Sequence, residues 1–261
     1  MEARKTREKL KNLLPYGMVA TKKWLAAQGL STHAIDNAVK SEVLLTLTAG
    51  VYTQYSANVR WEGVVASLQT MTDKPVHLGG ESALALAGMA HYLSLGKKQV
   101  IHLFSEATLP RWVARLASDT DVNGSFKSHS TKQLWSEDVM DSDQYLKARE
   151  WQPDAPDVKY SCPEKAIMEV LVDVPRSVSF DHADELMQGL LNLSPKKLDG
   201  LLLGCKSIRV KRLFFWLAAR NDHQWFNKLN VQDYNLGAGK RVVAKDGKLD
   251  KTYMITVPKH L

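Results

Sequence analysis

Cysteine is scarce in this chain of 261 residues, which contains only two. Cys162 and Cys205 lie far apart beside apolar residues, and no Cys-x-x-Cys pair occurs. This argues against a zinc ribbon, a thioredoxin-type site and a disulfide framework. Because cysteine is among the most buried residue types, we expect two buried thiols in a reducing compartment.

Long apolar runs are missing as well. No stretch approaches the roughly 18 to 20 apolar residues that are needed to cross a bilayer. The charged run at residues 1–9 has no apolar segment behind it, as a secretory signal would have. We therefore expect a cytoplasmic protein without membrane contact.

Motifs for catalysis and cofactor binding are incomplete. Gly-Ala-Gly-Lys at residues 237–240 resembles the end of a phosphate-binding loop, but Arg241 follows where that motif needs Ser or Thr. Gly-Glu-Ser at residues 80–82 lacks the second glycine of a nucleophile elbow. The acidic and histidine residues at 181–184 have no further His or Cys close by to complete a metal site. We therefore predict no enzyme, no cofactor and no metal site.

Positive charge is in excess and is concentrated towards both ends of the chain. Residues 1–60 hold nine Lys or Arg against four Asp or Glu, and residues 196–261 hold fourteen against five. Residues 61–150, by contrast, hold nine against eleven. With a formal net charge of +7, the surface favours a polyanionic partner.

The first sixty residues have the pattern of helix, short strand, helix, tight turn, helix and hairpin. Pro15 ends the first helix, Thr21 is suited to cap the second, and Gly29 supplies the left-handed residue after it. The predicted helices cover residues 2–14, 22–28 and 32–43, the last of them capped by Ser31 or Thr32, and the predicted hairpin covers residues 45–55. This order is typical of a winged helix-turn-helix, although inert protein-interaction modules share it.

The third predicted helix has a polar outer face, since Ile35, Ala38 and Val39 can all point inward. A polar face after a tight turn, with lysines on the preceding helix, favours DNA as the ligand. The residues expected to contact DNA are Lys22, Lys23, Thr32, His33, Asn37, Lys40 and, in the wing, Thr48.

The remaining chain predicts a larger mixed α/β domain with a helical, basic last third. The predicted fold class is thus α+β, with a winged helix-turn-helix at residues 1–60 and a second domain at residues 61–261. In the last third, a helix near residues 206–220 would carry an apolar stripe on one face and arginines around Trp216 on another. The expected surface for a phosphate-rich or acidic partner comprises Arg209, Lys211, Arg212, Arg220, Lys240 and Arg241. A solvated helix face with a half-buried tryptophan is the alternative.

The whole chain resembles the AbiEi antitoxins of type IV toxin–antitoxin systems in four places. These are Gly50-Val51-Tyr52 in the wing, the Ser-Cys-Pro-Glu-Lys-Ala-Ile-Met-Glu sequence of residues 161–169, Val-Lys-Arg-Leu-Phe-Phe-Trp-Leu at residues 210–217, and residues 236–258 from Leu-Gly-Ala-Gly-Lys-Arg to Tyr-Met-Ile-Thr-Val-Pro. No single motif is diagnostic, but their order and spacing together are fairly specific.

The resemblance implies a protein with two activities. It would repress its own two-gene operon by binding promoter inverted repeats through the winged helix. It would also counteract a co-encoded nucleotidyltransferase-like toxin, largely through the C-terminal domain and without a stable complex, in a system linked to abortive infection and phage defence. A monomer in solution is expected.

Two other functions stay open from the residues alone. The first is a plain transcriptional regulator whose C-terminal domain senses a ligand or oligomerises. An apolar pocket in the larger domain would favour this function. The second is a nucleic-acid-modifying enzyme. A cluster of carboxylates or histidines brought together by the fold would favour this function.

Overall fold

The computed structural model describes residues 2–89, 99–120 and 122–261. The chain folds into two compact units, each built from three stretches of sequence. The first unit comprises residues 1–77, 94–128 and 148–159, and the second comprises residues 78–93, 129–147 and 160–261. The fold is of the predicted α+β class.

The N-terminal part of the first unit is a winged helix-turn-helix. Its elements are α1 (Glu2–Leu13), β1 (Ala20–Thr21), α2 (Lys22–Ala27), α3 (Thr32–Lys40), β2 (Leu44–Thr48) and β3 (Val51–Gln54). The three strands form one antiparallel sheet in the order β1-β3-β2. The predicted arrangement of helices and hairpin is therefore confirmed.

Local capping fixes the boundaries of the helix-turn-helix. The hydroxyl of Thr21 accepts a hydrogen bond from the Trp24 amide at 3.1 Å, which caps α2 as predicted. Gly29 has φ of 79°, a left-handed conformation that costs glycine little. Helix α3 ends at Lys40, short of the predicted residue 43, because Glu42 takes a left-handed φ of 53° and turns the chain into β2.

The remaining helices and strands follow in chain order. They are α4 (Trp61–Met71), β4 (Val76–Leu78), α5 (Gly80–Leu86), β5 (Gln99–Ser105), α6 (Arg111–Asp119), β6 (Gly124–Ser130), α7 (Glu137–Met140), β7 (Leu146–Arg149), β8 (Val158–Ser161), α8 (Pro163–Val170), α9 (Phe180–Gln188), α10 (Pro195–Gly204), α11 (Ile208–Arg220), β9 (Lys248–Asp250) and β10 (Ile255–Val257). Five strands form a sheet in the order β6-β5-β4-β8-β7, in which β4 and β8 are parallel. Among the described residues, no helix is both long and apolar enough to span a membrane.

The core of the second unit is built around α11. Its aromatic residues pack against residues from the following chain, with Phe215 stacked on Tyr253 and Phe214 beside Trp225. Trp216 makes an edge contact with Phe180 of α9. Residues 210–218 are all buried, so α11 has no solvated face along its centre.

Candidate nucleic-acid interface

Helix α3 presents the predicted polar face to solvent. Ile35 and Ala38 are buried in the winged-helix core. The predicted contact residues on the opposite face are exposed: Thr32, His33, Asn37 and Lys40. Ser31 caps the helix by accepting a hydrogen bond from the Ala34 amide at 3.1 Å. A regular, capped helix thus carries a row of side chains that can reach a groove of duplex DNA.

The side chains of His33 and Asn37 lie one turn apart and interact. The Asn37 amide nitrogen is 3.3 Å from Nδ1 of His33. This contact is exposed, so water or a base edge can replace it at little cost. An asparagine amide held on an exposed helix face matches the donor and acceptor pattern of adenine in the major groove.

The two lysines predicted on α2 have different surroundings. Lys23 is exposed, whereas Lys22 is half-buried and forms an ion pair with Asp36 of α3 at 2.7 Å. The hydrogen bond to Asp36 raises the pKa of Lys22 above its usual value. Because Asp36 offsets the charge of Lys22, Lys23 is the better placed of the two for a phosphate contact.

Thr48, which the sequence predicts to contact DNA from the wing, does not lie on an open surface. Its side chain is buried, and its hydroxyl donates to the carboxylate of Asp119 at 2.6 Å. Asp119 is the last residue of α6, which packs against β2. The hydrogen bond from Thr48, together with one from Ser118, lowers the pKa of Asp119 below its usual value.

The predicted basic surface of the C-terminal third is only partly present. Arg212 is 2% exposed and Lys211 is 5% exposed, so neither faces solvent. Arg212 donates to four backbone carbonyls, those of Leu236, Gly237, Gly239 and Met254 at 2.6–2.9 Å. Burial lowers the pKa of both side chains. The guanidinium therefore organises the loop after α11 rather than a partner surface.

The other members of the predicted basic surface differ in exposure. Arg209 is half-buried and donates to the carbonyl oxygens of Val172 and Val174. Arg220 is exposed, lies over the Trp216 ring at 5.1 Å and is 3.6 Å from Asp184. Lys240 and Arg241 are exposed. The side chains that remain accessible are thus Arg220, Lys240 and Arg241.

Both cysteines are buried, free thiols, as predicted. Burial raises the pKa of Cys162 to about 12 and that of Cys205 to about 11. Since the thiolate is the reactive form, burial makes both thiols less reactive near neutral pH than an exposed cysteine would be.

Sequence reasoning missed three residues that shape the N-terminal surface. These are Asp36, which pairs with Lys22, Asp119, which holds Thr48, and Arg7 of α1, which lines a cleft beside α3. The spacing of α1 carried a usable signal for Arg7. It lies three residues before the buried Leu10, near the border of the packed face.

Two family models together match nearly the whole chain. One, described as "Transcriptional regulator, AbiEi antitoxin N-terminal domain", matches residues 3–95. The other, described as "Transcriptional regulator, AbiEi antitoxin, Type IV TA system", matches residues 98–258. A search of curated proteins found no match.

Among solved structures, the crystal structure of RV2827C protein from Mycobacterium tuberculosis is similar over 97% of this chain and 90% of that chain. The two share 15% sequence identity, with a TM-score of 0.49. The family models confirm the resemblance noted from the sequence: the chain belongs to the AbiEi antitoxins of type IV toxin–antitoxin systems, a family of transcriptional regulators.

Proposed function

We propose that this protein represses its own two-gene operon by binding inverted repeats in the promoter through α3. We also propose that it counteracts a co-encoded nucleotidyltransferase-like toxin through residues 61–261, acting as a cytoplasmic monomer when free. The observation that carries the first part is the exposed polar face of a capped α3 within a winged helix. Membership of a family of regulators and antitoxins supports both parts.

In this proposal different side chains of α3 contact different parts of the DNA. His33 and Asn37 read base edges in the major groove, while Thr32 and Lys40 contact bases or nearby phosphates. Lys23 holds the backbone from α2, with a smaller contribution from the paired Lys22. Thr48 is no longer among the contacts, because its hydroxyl is bound to Asp119.

The test of α3 is binding to the promoter of the protein's own operon with and without Asn37. Asn37→Ala is expected to weaken specific binding by about 1–3 kcal/mol, the range for one bidentate base contact, and to leave random DNA unaffected. Lys23→Ala should weaken both equally and lower the salt slope by about one. The matched control is Asn12→Ala, at an exposed position of α1. Unchanged discrimination by the Asn37 variant would contradict base reading by α3.

The antitoxic part is tested by co-expression with the toxin encoded next to this gene. Reversing the accessible charges in Lys240→Glu with Arg241→Glu is expected to abolish rescue if this surface contacts a phosphate-rich or acidic partner. The control pair Lys206→Glu with Lys228→Glu changes the charge equally at other exposed positions of the second unit. Equal rescue by both pairs would mean that Lys240 and Arg241 belong to an ordinary solvated surface.

A further inference from the structure

The wing carries no charge of its own. Residues 43–59, which contain both wing strands, include no Lys, Arg, Asp or Glu. Its threonine nearest the turn, Thr48, donates to Asp119 and is buried. Cations that neutralise DNA phosphates beside α3 must therefore come from other elements, since phosphate contacts supply most of the affinity for DNA.

A cleft of about 360 Å³ lies between α1 and α3. Its apolar wall is formed by Leu10, Ala38 and Val43, and its polar groups include Arg7, His33 and Asn37. Two of these polar residues, His33 and Asn37, are the exposed α3 side chains proposed to read bases. The cleft therefore adjoins the reading face of the helix.

Arg7 supplies the positive charge of this cleft. It is exposed, and no ion pair joins it to another residue in the described part of the chain. A guanidinium is a planar fork that binds two phosphate oxygens at once. An arginine without an internal carboxylate partner keeps this fork available for an outside anion.

We propose that the cleft between α1 and α3 is a phosphate-binding site, in which Arg7 holds a phosphate of the DNA backbone beside the groove that α3 enters. The inference rests on the proposed function and extends it, because it adds a backbone contact from α1 to the one proposed for Lys23 of α2. The same chemistry suits the phosphate of a free nucleotide, which would then compete with DNA for His33 and Asn37.

The salt dependence of DNA binding tests the site. The probe is a fluorescently labelled duplex of the protein's own promoter, titrated with the full chain at several salt concentrations. Arg7→Gln is expected to lower the slope of log K against log salt by about 0.9, the value for one lost phosphate contact. Lys5→Gln is the matched control, because Lys5 is exposed on the same helix but does not line the cleft.

Each outcome supports or overturns the proposal that Arg7 binds a DNA phosphate in the cleft. A reduced slope for Arg7→Gln with an unchanged slope for Lys5→Gln supports it, whereas equal changes mean that α1 attracts DNA only diffusely. An unchanged slope for Arg7→Gln overturns it, even when Asn37→Ala loses discrimination and the proposed function stands. Failure of the unmodified chain to bind the duplex overturns both.

A second titration distinguishes the two sources of phosphate. Thymidine monophosphate is added to the full chain and to Arg7→Gln, and binding is followed by the chemical shifts of His33. Saturable binding that needs Arg7 and displaces the duplex, together with an unchanged DNA salt slope, would assign the cleft to free nucleotides and overturn the backbone contact. No saturable binding, with the slope reduced, supports the backbone contact.

Discussion

Helices α3 and α11 both mix charged and apolar residues, but α11 buries two of its charged residues, Lys211 and Arg212, whereas α3 buries none. In α3 the inward positions are confined to one side, where Ile35 and Ala38 are buried. In α11 every residue from Val210 to Ala218 is buried, including Lys211 and Arg212. Apolar residues on all sides of a helix indicate burial, and a few charges among them do not change that.

The comparison of α3 with α11 distinguishes surface cations, which can bind a ligand, from buried cations, which form hydrogen bonds within the fold. Lys23, Lys40 and Arg7 lie at the surface, where a bound phosphate can replace water. Arg212 instead donates four of its five N–H groups to carbonyls of the same unit. Burying a charge costs free energy, which hydrogen bonds such as these offset.

The largest effect is expected from removing the buried guanidinium. Arg212→Met leaves loop carbonyls without donors and should lower the free energy of unfolding by about 3–5 kcal/mol. Arg212→Lys should fall between this variant and the unmodified chain, because an ammonium cannot span the same carbonyls. Urea unfolding measures all three, with the exposed Arg220→Met as control at about 1 kcal/mol or less. Equal losses of unfolding free energy at Arg212 and Arg220 would contradict the distinction between buried and exposed arginines.

A smaller effect is expected from the cap of α3. Ser31→Ala removes the acceptor of the Ala34 amide and should cost about 1 kcal/mol of stability. The neighbouring Thr32→Ala is the control, because Thr32 is already inside the helix. Thermal unfolding of both variants should show a lower Tm for the first only, and equal Tm values would mean that Ser31 does not cap α3 in solution.

A third effect depends on pH. The folded pKa of Asp119 is lowered, so its ionised form adds stability above the unfolded pKa of about 4. This contribution is lost as the pH falls through the folded value. Thr48→Val removes the largest cause of the shift and should have a lower Tm than the unmodified chain at pH ~7, with the difference shrinking below pH ~4. A difference that is constant over this pH range would show that the Thr48 hydrogen bond does not depend on the Asp119 charge.

The smallest effect on stability is expected at the accessible end of the C-terminal basic surface. Lys240→Glu with Arg241→Glu should change the free energy of unfolding by no more than about 0.5 kcal/mol, as is usual at exposed sites. Arg241 also lies near enough to Arg212 to lower the pKa of that buried side chain. Reversing the charge of Arg241 therefore removes its repulsion of Arg212. A large loss of stability in urea would mean that Lys240 and Arg241 stabilise the fold, as Arg212 does.

Sequence predicted best what short-range chemistry decides. The cap at Thr21, the left-handed Gly29 and the inward positions of α3 depend on neighbours within one or two turns. It failed where the partner is distant along the chain. Asp119 is 71 residues from Thr48, and the carbonyls that bind Arg212 lie 24 to 42 residues beyond it. No local periodicity reveals a loop carbonyl that needs a donor.

The proposed DNA-binding site follows the same division. The exposed face of α3 could be predicted from helical spacing alone. The cleft beside it could not, because it depends on how the fold brings residues of α1, such as Arg7, to the same cleft as Asn37 of α3.

The first unit also sets an order of events during synthesis. Its winged helix pairs strands within residues 20–54, so it needs no later sequence to form its sheet. The unit as a whole ends only at residue 159, about a hundred residues later, which takes a ribosome about 5–20 s at ~5–20 residues per second. During that interval the nascent hairpin leaves the exit tunnel before Asp119 has been made, with the hydroxyl of Thr48 still hydrated. Helix α3 is therefore synthesised ahead of the helix that later covers its wing.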